Sequence, residues 1–195
     1  MNSITIVPDS SFFICFLDDI KQPQILIQIL EYRLFKFFTG SIIRSEIQRS
    51  QNFTDIEGEF SSRVDRLDYY NYGELLRPFL SVSEIEKGEH EVIVISYILH
   101  LSGCNILAIL DDESPRTYFR SRFPELSDKV TGTIGFIEQC TCSYGIFQTN
   151  KGTTILSLIA ESKFRVKKHI VDGAIKRITG YEDVKTDYSQ GGDRR

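Results

Sequence analysis

Residues 88–112 read GEHEVIVISYILHLSGCNILAILDD, and this stretch decides the fold. Glu89 and Glu91 open an apolar helix, where acids suit the positive end of the helix dipole. Ser102-Gly103 ends that helix at Leu101. The run at 105–110 is short, apolar and bounded by turn residues, so it reads as a buried strand, central in the sheet. It ends on Asp111 and Asp112, and the carboxyl end of a buried strand is where open α/β sheets carry their chemistry.

Working outward, ITIVP at 4–8 is β-branched and stops at Pro8, which predicts a strand. Asp9-Ser10-Ser11 then supplies capping chemistry for the apolar helix FFICFL. Pro23 suits the first position of a helix over about 23–38, with Gly40 as its breaker. Ser41-Ile42-Ile43 reads as a short strand, followed from about Arg44 by a helix with Glu46 in its first turn. Residues 51–82 read as two short helices with loops, and Tyr69, Tyr70 and Tyr72 as a helix contact or a stacking surface. Ser83 with Glu86 forms a capping box. Ser114-Pro115 starts a helix to about Arg122. Lys129-Val130 is a short strand, and Thr131-Gly132-Thr133 turns into the helix IGFIEQC. Helices over 152–162 and 166–179 follow.

Strands alternating with helical crossovers predict an α/β fold, a three-layer sandwich around a mainly parallel sheet of four or five strands. Residues 1–180 read as one domain, and residues 181–195 as a polar, flexible tail. No apolar run is long enough to span a bilayer, and the N-terminal segment lacks a basic leader region. Cys140 and Cys142 form a lone CxC without the second pair a zinc site needs. All four cysteines therefore read as reduced thiols, which points to the cytoplasm. A net charge of −4 is no footprint of a passive nucleic-acid binder, and it does not exclude an enzyme that meets phosphate through a metal. Cations gather at Arg116, Arg120 and Arg122, and again at Lys163, Arg165, Lys167 and Lys168, where a solvated helix face is the simple reading.

Asp9, Glu46, Glu91 (with Glu89), Asp111 and Asp112 all fall at strand exits or helix starts. In a parallel sheet these positions share one edge. Carboxylates gathered there repel one another and are relieved by protons or a cation. Hard divalent ions, Mg2+ or Mn2+, accept such oxygen donors. The chemistry they support is water attack on a phosphodiester.

The chain resembles PIN-domain proteins of the prokaryotic toxin type, VapC-like, over roughly residues 4–145. The resemblance rests on VPDSS, SIIRSEI, GEHEVIVIS, ILAILDDESPR and TGTIGFI, in that order. It implies a metal-dependent endoribonuclease acting on single-stranded RNA. On that pattern Asp9, Glu46, Glu91 and Asp111 are catalytic. Asp9, Glu91, Asp111 and Asp112 are the metal ligands, with Glu89 the substitute for Glu91 and the choice between Asp111 and Asp112 open. Thr131, Thr133, Arg116 and Ser10 meet substrate or support the ligands. The resemblance also implies an antitoxin partner and a homodimer. The long segment between Glu46 and Gly88 and the Ile- and Val-rich helix after Glu91 depart from the family pattern.

Two other classes compete. One is a PIN-like regulator that holds RNA or a protein without turnover. The other is a phosphotransfer receiver or phosphatase. It fits poorly, because the acid pair comes late and position 11, where a DxD phosphatase needs Asp, is Ser11.

Overall fold

The computed structural model describes residues 3–67 and 87–190. The chain divides into two compact units, residues 1–133 and residues 134–195. The first holds β1 (Ile4–Pro8), α1 (Ser10–Ile14), a π-helical turn (Cys15–Asp19), α2 (Pro23–Leu30), β2 (Phe35–Thr39) and α3 (Ser41–Ile47). It continues through α4 (Glu57–Arg63), β3 (Val64–Arg66), α5 (Lys87–Leu101), β4 (Ile106–Ile109), α6 (Glu113–Arg122) and β5 (Val130–Thr131). The five strands make one sheet in the order β3-β2-β1-β4-β5, and every neighbouring pair is parallel. This is an α/β fold, a central sheet flanked by helices as in a three-layer sandwich.

The strands form where the sequence supplies side chains for a sheet covered on both faces. Thr5, Ile6 and Val7 of β1 are all buried, as are all four residues of β4. The middle strand is β1, with β4 beside it, because the chain lays down β2 and β3 on one side of β1 before crossing to the other. Helix α5 packs on β1, β2 and β4 and also against α3 and α6, so more than one of its faces is covered and Val92, Ile93, Val94 and Ile95 are all buried. A cluster of phenylalanines fills the space beneath α1: Phe12 meets Phe13 and Phe16 edge-on, and Phe13 meets Phe60. Each such ring contributes about 1.5–3 kcal/mol by leaving water.

Several local expectations are corrected. The helix from Pro23 ends at Leu30, and Phe35–Thr39 is a strand. FKFFT alternates, with Phe35 and Phe37 inward and Lys36 outward, and aromatic residues suit a pleated surface. Ser41-Ile42-Ile43 is the start of α3, not a strand, so Glu46 lies in that helix's second turn. Its buried Ile43 and Ile47 carry the helical spacing. Strand β3 was not foreseen; only Val64 of its three residues is buried. Asp112, rather than Ser114, stands at the N-cap of α6. The expectations for Tyr69, Tyr70, Tyr72, Ser83 and Glu86 lie outside the described residues.

The second unit contains α7 (Thr133–Cys142) from Ile134 onward, α8 (Thr149–Glu161) and α9 (Lys168–Gln190). Ile155, Leu156 and Ile159 of α8 are buried, as are Val171, Ala174 and Ile178 of α9. A Cβ on Gly152 would overlap the Thr141 side chain, so α7 and α8 approach closely there. Arg177 donates two bonds to Glu138, of 2.6 and 2.7 Å. Helix α9 runs to Gln190, into the segment read as a tail. All four cysteines are free thiols, with Cys15 and Cys140 buried. Among the described residues no helix is long and apolar enough to cross a membrane.

Candidate functional site

The sheet reverses its direction of growth between β1 and β4, and open α/β sheets bind ligands outside the carboxyl ends of strands at such a point. Asp9 follows β1 and Asp111 follows β4 one residue after Leu110. The register Pro8↔Ile109 brings the two exits side by side, and the Asp9 amide donates to the Ile109 carbonyl at 3.0 Å. The Asp9 carboxylate is held between two backbone donors. Phe12 N–H reaches Oδ1 at 3.1 Å, which makes Asp9 the N-cap of α1, and Asp111 N–H reaches Oδ2 at 3.3 Å.

Asp111 is held in turn by Thr133. The Thr133 amide donates to Oδ1 at 2.8 Å and its hydroxyl to Oδ2 at 2.6 Å. Gly132 permits this: a Cβ there would lie 3.0 Å from Asp111 Oδ1 and 3.2 Å from Arg116 Nη1. Arg116 itself leans back through a 3.3 Å bond from its Nε to the Asp112 carbonyl. The Thr131 hydroxyl turns instead to the Gly132 carbonyl, 3.2 Å away, so of the two threonines only Thr133 holds an acid.

The two glutamates read from helix starts form a crossed clasp. Glu91 of α5 is fully buried and accepts from Ile42 N–H at 3.2 Å and Ile43 N–H at 2.9 Å, at the start of α3. Its carboxyl occupies the space that a Cβ on Gly40 would need. Reciprocally, a Cβ on Gly88 would come within 2.9 Å of Glu46 Oε2. Each carboxylate thus lies near the N-terminus of the other's helix, where the dipole favours it.

A cleft of about 90 Å³ opens beside these groups, lined by Asp9, Ser10, Ser11, Glu46, Gly88, Glu89 and Asp112. Glu89 lines it, while Glu91, two residues along the same helix, is committed to α3. Ser11, Gly40, Gly88 and Gly132 take part in the site, a role beyond the cap, breaker and turn positions read from the sequence. For the three glycines the available signal was a glycine just before a helix, as at Gly40 and Gly132, or in its first turn, as at Gly88.

The electrostatics show crowding. Burial pushes the Asp9 carboxyl well above its ordinary value of 3.8; Asp111 adds to that push, and the Phe12 and Asp111 amides oppose it. Burial likewise raises Asp111 from its ordinary value, against the Thr133 bonds and the Arg116 charge. Glu91 is raised by burial and, less, by Glu46, with the Ile43 and Ile42 amides opposing. Burial also pushes up the Cys15 thiol, with Asp111 and Asp19 adding to it, so it is inert.

The donors lining the cleft are all hard oxygens, which fits a cation such as Mg2+ or Mn2+ in kind. Among the described residues, however, no three His, Cys, Asp or Glu side chains form a group arranged to hold a metal. The reason is visible: Asp9, Asp111 and Glu91 each spend their oxygens on amides or Thr133. Comparison of the chain with family models, with curated proteins and with solved structures finds no match.

Two outcomes follow from this geometry. Gly40→Ala should destabilise the fold by about 1–3 kcal/mol, the usual cost of overpacking, read from urea denaturation. Most of that cost should vanish in a Glu91→Ala background, which removes the obstructed carboxyl; a full additive cost there would show the clasp is misassigned. The second outcome concerns pH. An acid raised by folding contributes stability fully only below its unfolded value, and the contribution is lost as pH rises through the raised folded value. Asp9→Asn, which cannot ionise, should therefore melt higher than wild type at about pH 8 in EDTA, by roughly 2–4 °C per kcal/mol relieved. The gap should close as pH falls toward about 4, near the unfolded value; a gap independent of pH would contradict the crowding.

Proposed function

We propose that this chain is a Mg2+- or Mn2+-dependent endoribonuclease that cleaves single-stranded RNA, of the PIN-like, toxin–antitoxin kind. The observation that carries this reading is the cleft at the β1/β4 switch point, where Asp9, Glu46, Glu89 and Asp112 line one space next to Asp111. In this reading Asp9, Asp112 and Glu89, which among the described residues do not already form a metal-holding group, would draw in around the ion as it binds, with Glu89 in the role that the resemblance gave to Glu91. Bound there, the ion would supply a water activated at neutral pH and a counter-charge for phosphate.

The chain's own residues do the rest. Asp111, fixed by Thr133, adds its carboxyl to the acids beside the cleft, a setting that favours a cation over a bare phosphate. Arg116, beside Asp111, balances part of that charge and presents a guanidinium to a phosphate oxygen. Glu91 works at one remove, holding α3 so that Glu46 reaches the cleft. An antitoxin, a homodimer and a cytoplasmic location belong to the same proposal and stand on the resemblance and the free thiols alone.

A single observation favours a second reading, a PIN-like protein that binds RNA or a protein partner without turnover. It is the commitment of Asp9, Asp111 and Glu91 to backbone and Thr133, which leaves, among the described residues, no group of three acids arranged to hold a metal.

The discriminating measurement is cleavage of a labelled single-stranded RNA with Mn2+. Under the nuclease reading EDTA abolishes cleavage. Thr133→Val, one step from the ion, costs about 10–100-fold, and Asp9→Asn costs more than that. Intact RNA at high concentrations of folded protein and Mn2+, with RNA binding that survives both EDTA and Asp9→Asn, would establish the second reading instead.

A further inference from the structure

The two units differ sharply in charge. Residues 1–133 carry thirteen Lys and Arg against twenty Asp and Glu, a net of −7, whereas residues 134–195 carry ten against seven, a net of +3. Such asymmetry within one chain points to a polyanionic partner for the basic part. The excess is concentrated. Between Glu161 and Asp172 the chain reads SKFRVKKHIV, with four cations, one histidine and no acid.

These residues do not form the solvated helix face the sequence suggested. They lie on the connection from α8 to α9, and of the charged residues and the histidine only Lys168 and His169 belong to a helix. The connection is held by its own bonds. Ser162 Oγ donates to the Ile159 carbonyl at 2.8 Å and accepts from Phe164 N–H at 3.1 Å, and Val166 N–H donates to the Phe164 carbonyl at 3.0 Å. Lys163, Arg165, Lys167, Lys168 and His169 are exposed, while Phe164 and Val166 between them are half-buried. The alternation turns the apolar side chains inward and the charges outward.

We propose that this loop is a docking surface for the phosphate backbone of single-stranded RNA. It rests on the nuclease reading only for the choice of RNA among polyanions. A row of outward cations on a connection outside any helix suits a flexible phosphodiester chain, with affinity coming from phosphate contacts. A membrane surface wants an amphipathic helix with an exposed apolar face. Here one large apolar side chain, Ile170, borders the loop in the open.

The test uses the full chain and a fluorescent single-stranded oligoribonucleotide in EDTA, so that no turnover is involved. Fluorescence anisotropy gives Kd at several salt concentrations. Each phosphate-bound cation adds about 0.7 to the slope of log affinity against log salt. The variant Lys163→Gln/Arg165→Gln/Lys167→Gln should lose about 2 from that slope and bind roughly 100-fold more weakly at 0.1 M salt. An equal neutralisation in the other unit, Lys36→Gln/Arg49→Gln/Arg63→Gln, should leave the slope nearly unchanged, and circular dichroism checks that both variants fold. A wild-type slope in the loop variant overturns the proposal. So does a loop variant that keeps RNA binding but loses sedimentation with phosphatidylserine vesicles. If wild type cleaves RNA with Mn2+ while the loop variant keeps its slope, the loop assignment falls and the nuclease stands. If the slope drops but no cleavage occurs, the nuclease falls and the loop stands.

Discussion

Two carboxylates, Asp9 buried and Asp111 half-buried, share the switch point of this sheet, and the bond from the Asp111 amide to Asp9 Oδ2 is what lets them. Burial is the main cause that raises both acids, and like charge adds to it, from Asp111 on Asp9 and from Asp112 on Asp111. The fold answers with oriented donors: one helix N-terminus for Asp9, the Thr133 amide and hydroxyl for Asp111, and the Arg116 guanidinium nearby. Removing β4 from the side of β1 would separate the acids, and removing the Gly132 turn would loosen Asp111. The parallel pairing of these two strands, the turn after β5 and the cap of α1 therefore serve one local problem in electrostatics.

How much of this was legible depended on whether a local pattern had one solution. The strands β1 and β4 did: β-branched or continuous apolar runs, each closed by an acid or proline, have no helical alternative of that length. β2 did not. Leu30, Leu34 and Phe37 continue the spacing of α2, and no Gly or Pro interrupts residues 31–38 to announce the break. The deciding feature, Lys36 exposed between two buried phenylalanines, is a period of two inside a longer period of three and four. β3 is an edge strand with one buried residue, so it left almost no apolar signal to read.

The site was legible at the level of position and not of orientation. Every acid singled out lies at the carboxyl edge of the sheet or on a helix beside it. What could not be read was rotation. α5 is apolar all round, with four consecutive buried residues after Glu91, so periodicity does not say which of Glu89 and Glu91 faces the cleft. Two residues apart on a helix they point roughly opposite ways, and tertiary packing chose. Adjacent residues at a strand's end split in the same manner: Asp111 turns to Thr133 and Asp112 to the cleft.

The glutamate clasp gives that rotation a cause. Glu91 can bury its charge only where donors await it, and the first amides of α3 are such donors, open because no side chain caps that helix from within. Gly40 makes room for the carboxyl, and Gly88 makes the matching room for Glu46. With Glu91 fixed to α3, helical geometry turns Glu89 away from it, and the side it turns to is the cleft. A buried carboxyl held by two amides thus decides which of two acids is presented for chemistry, and a pair of glycines makes the room for it.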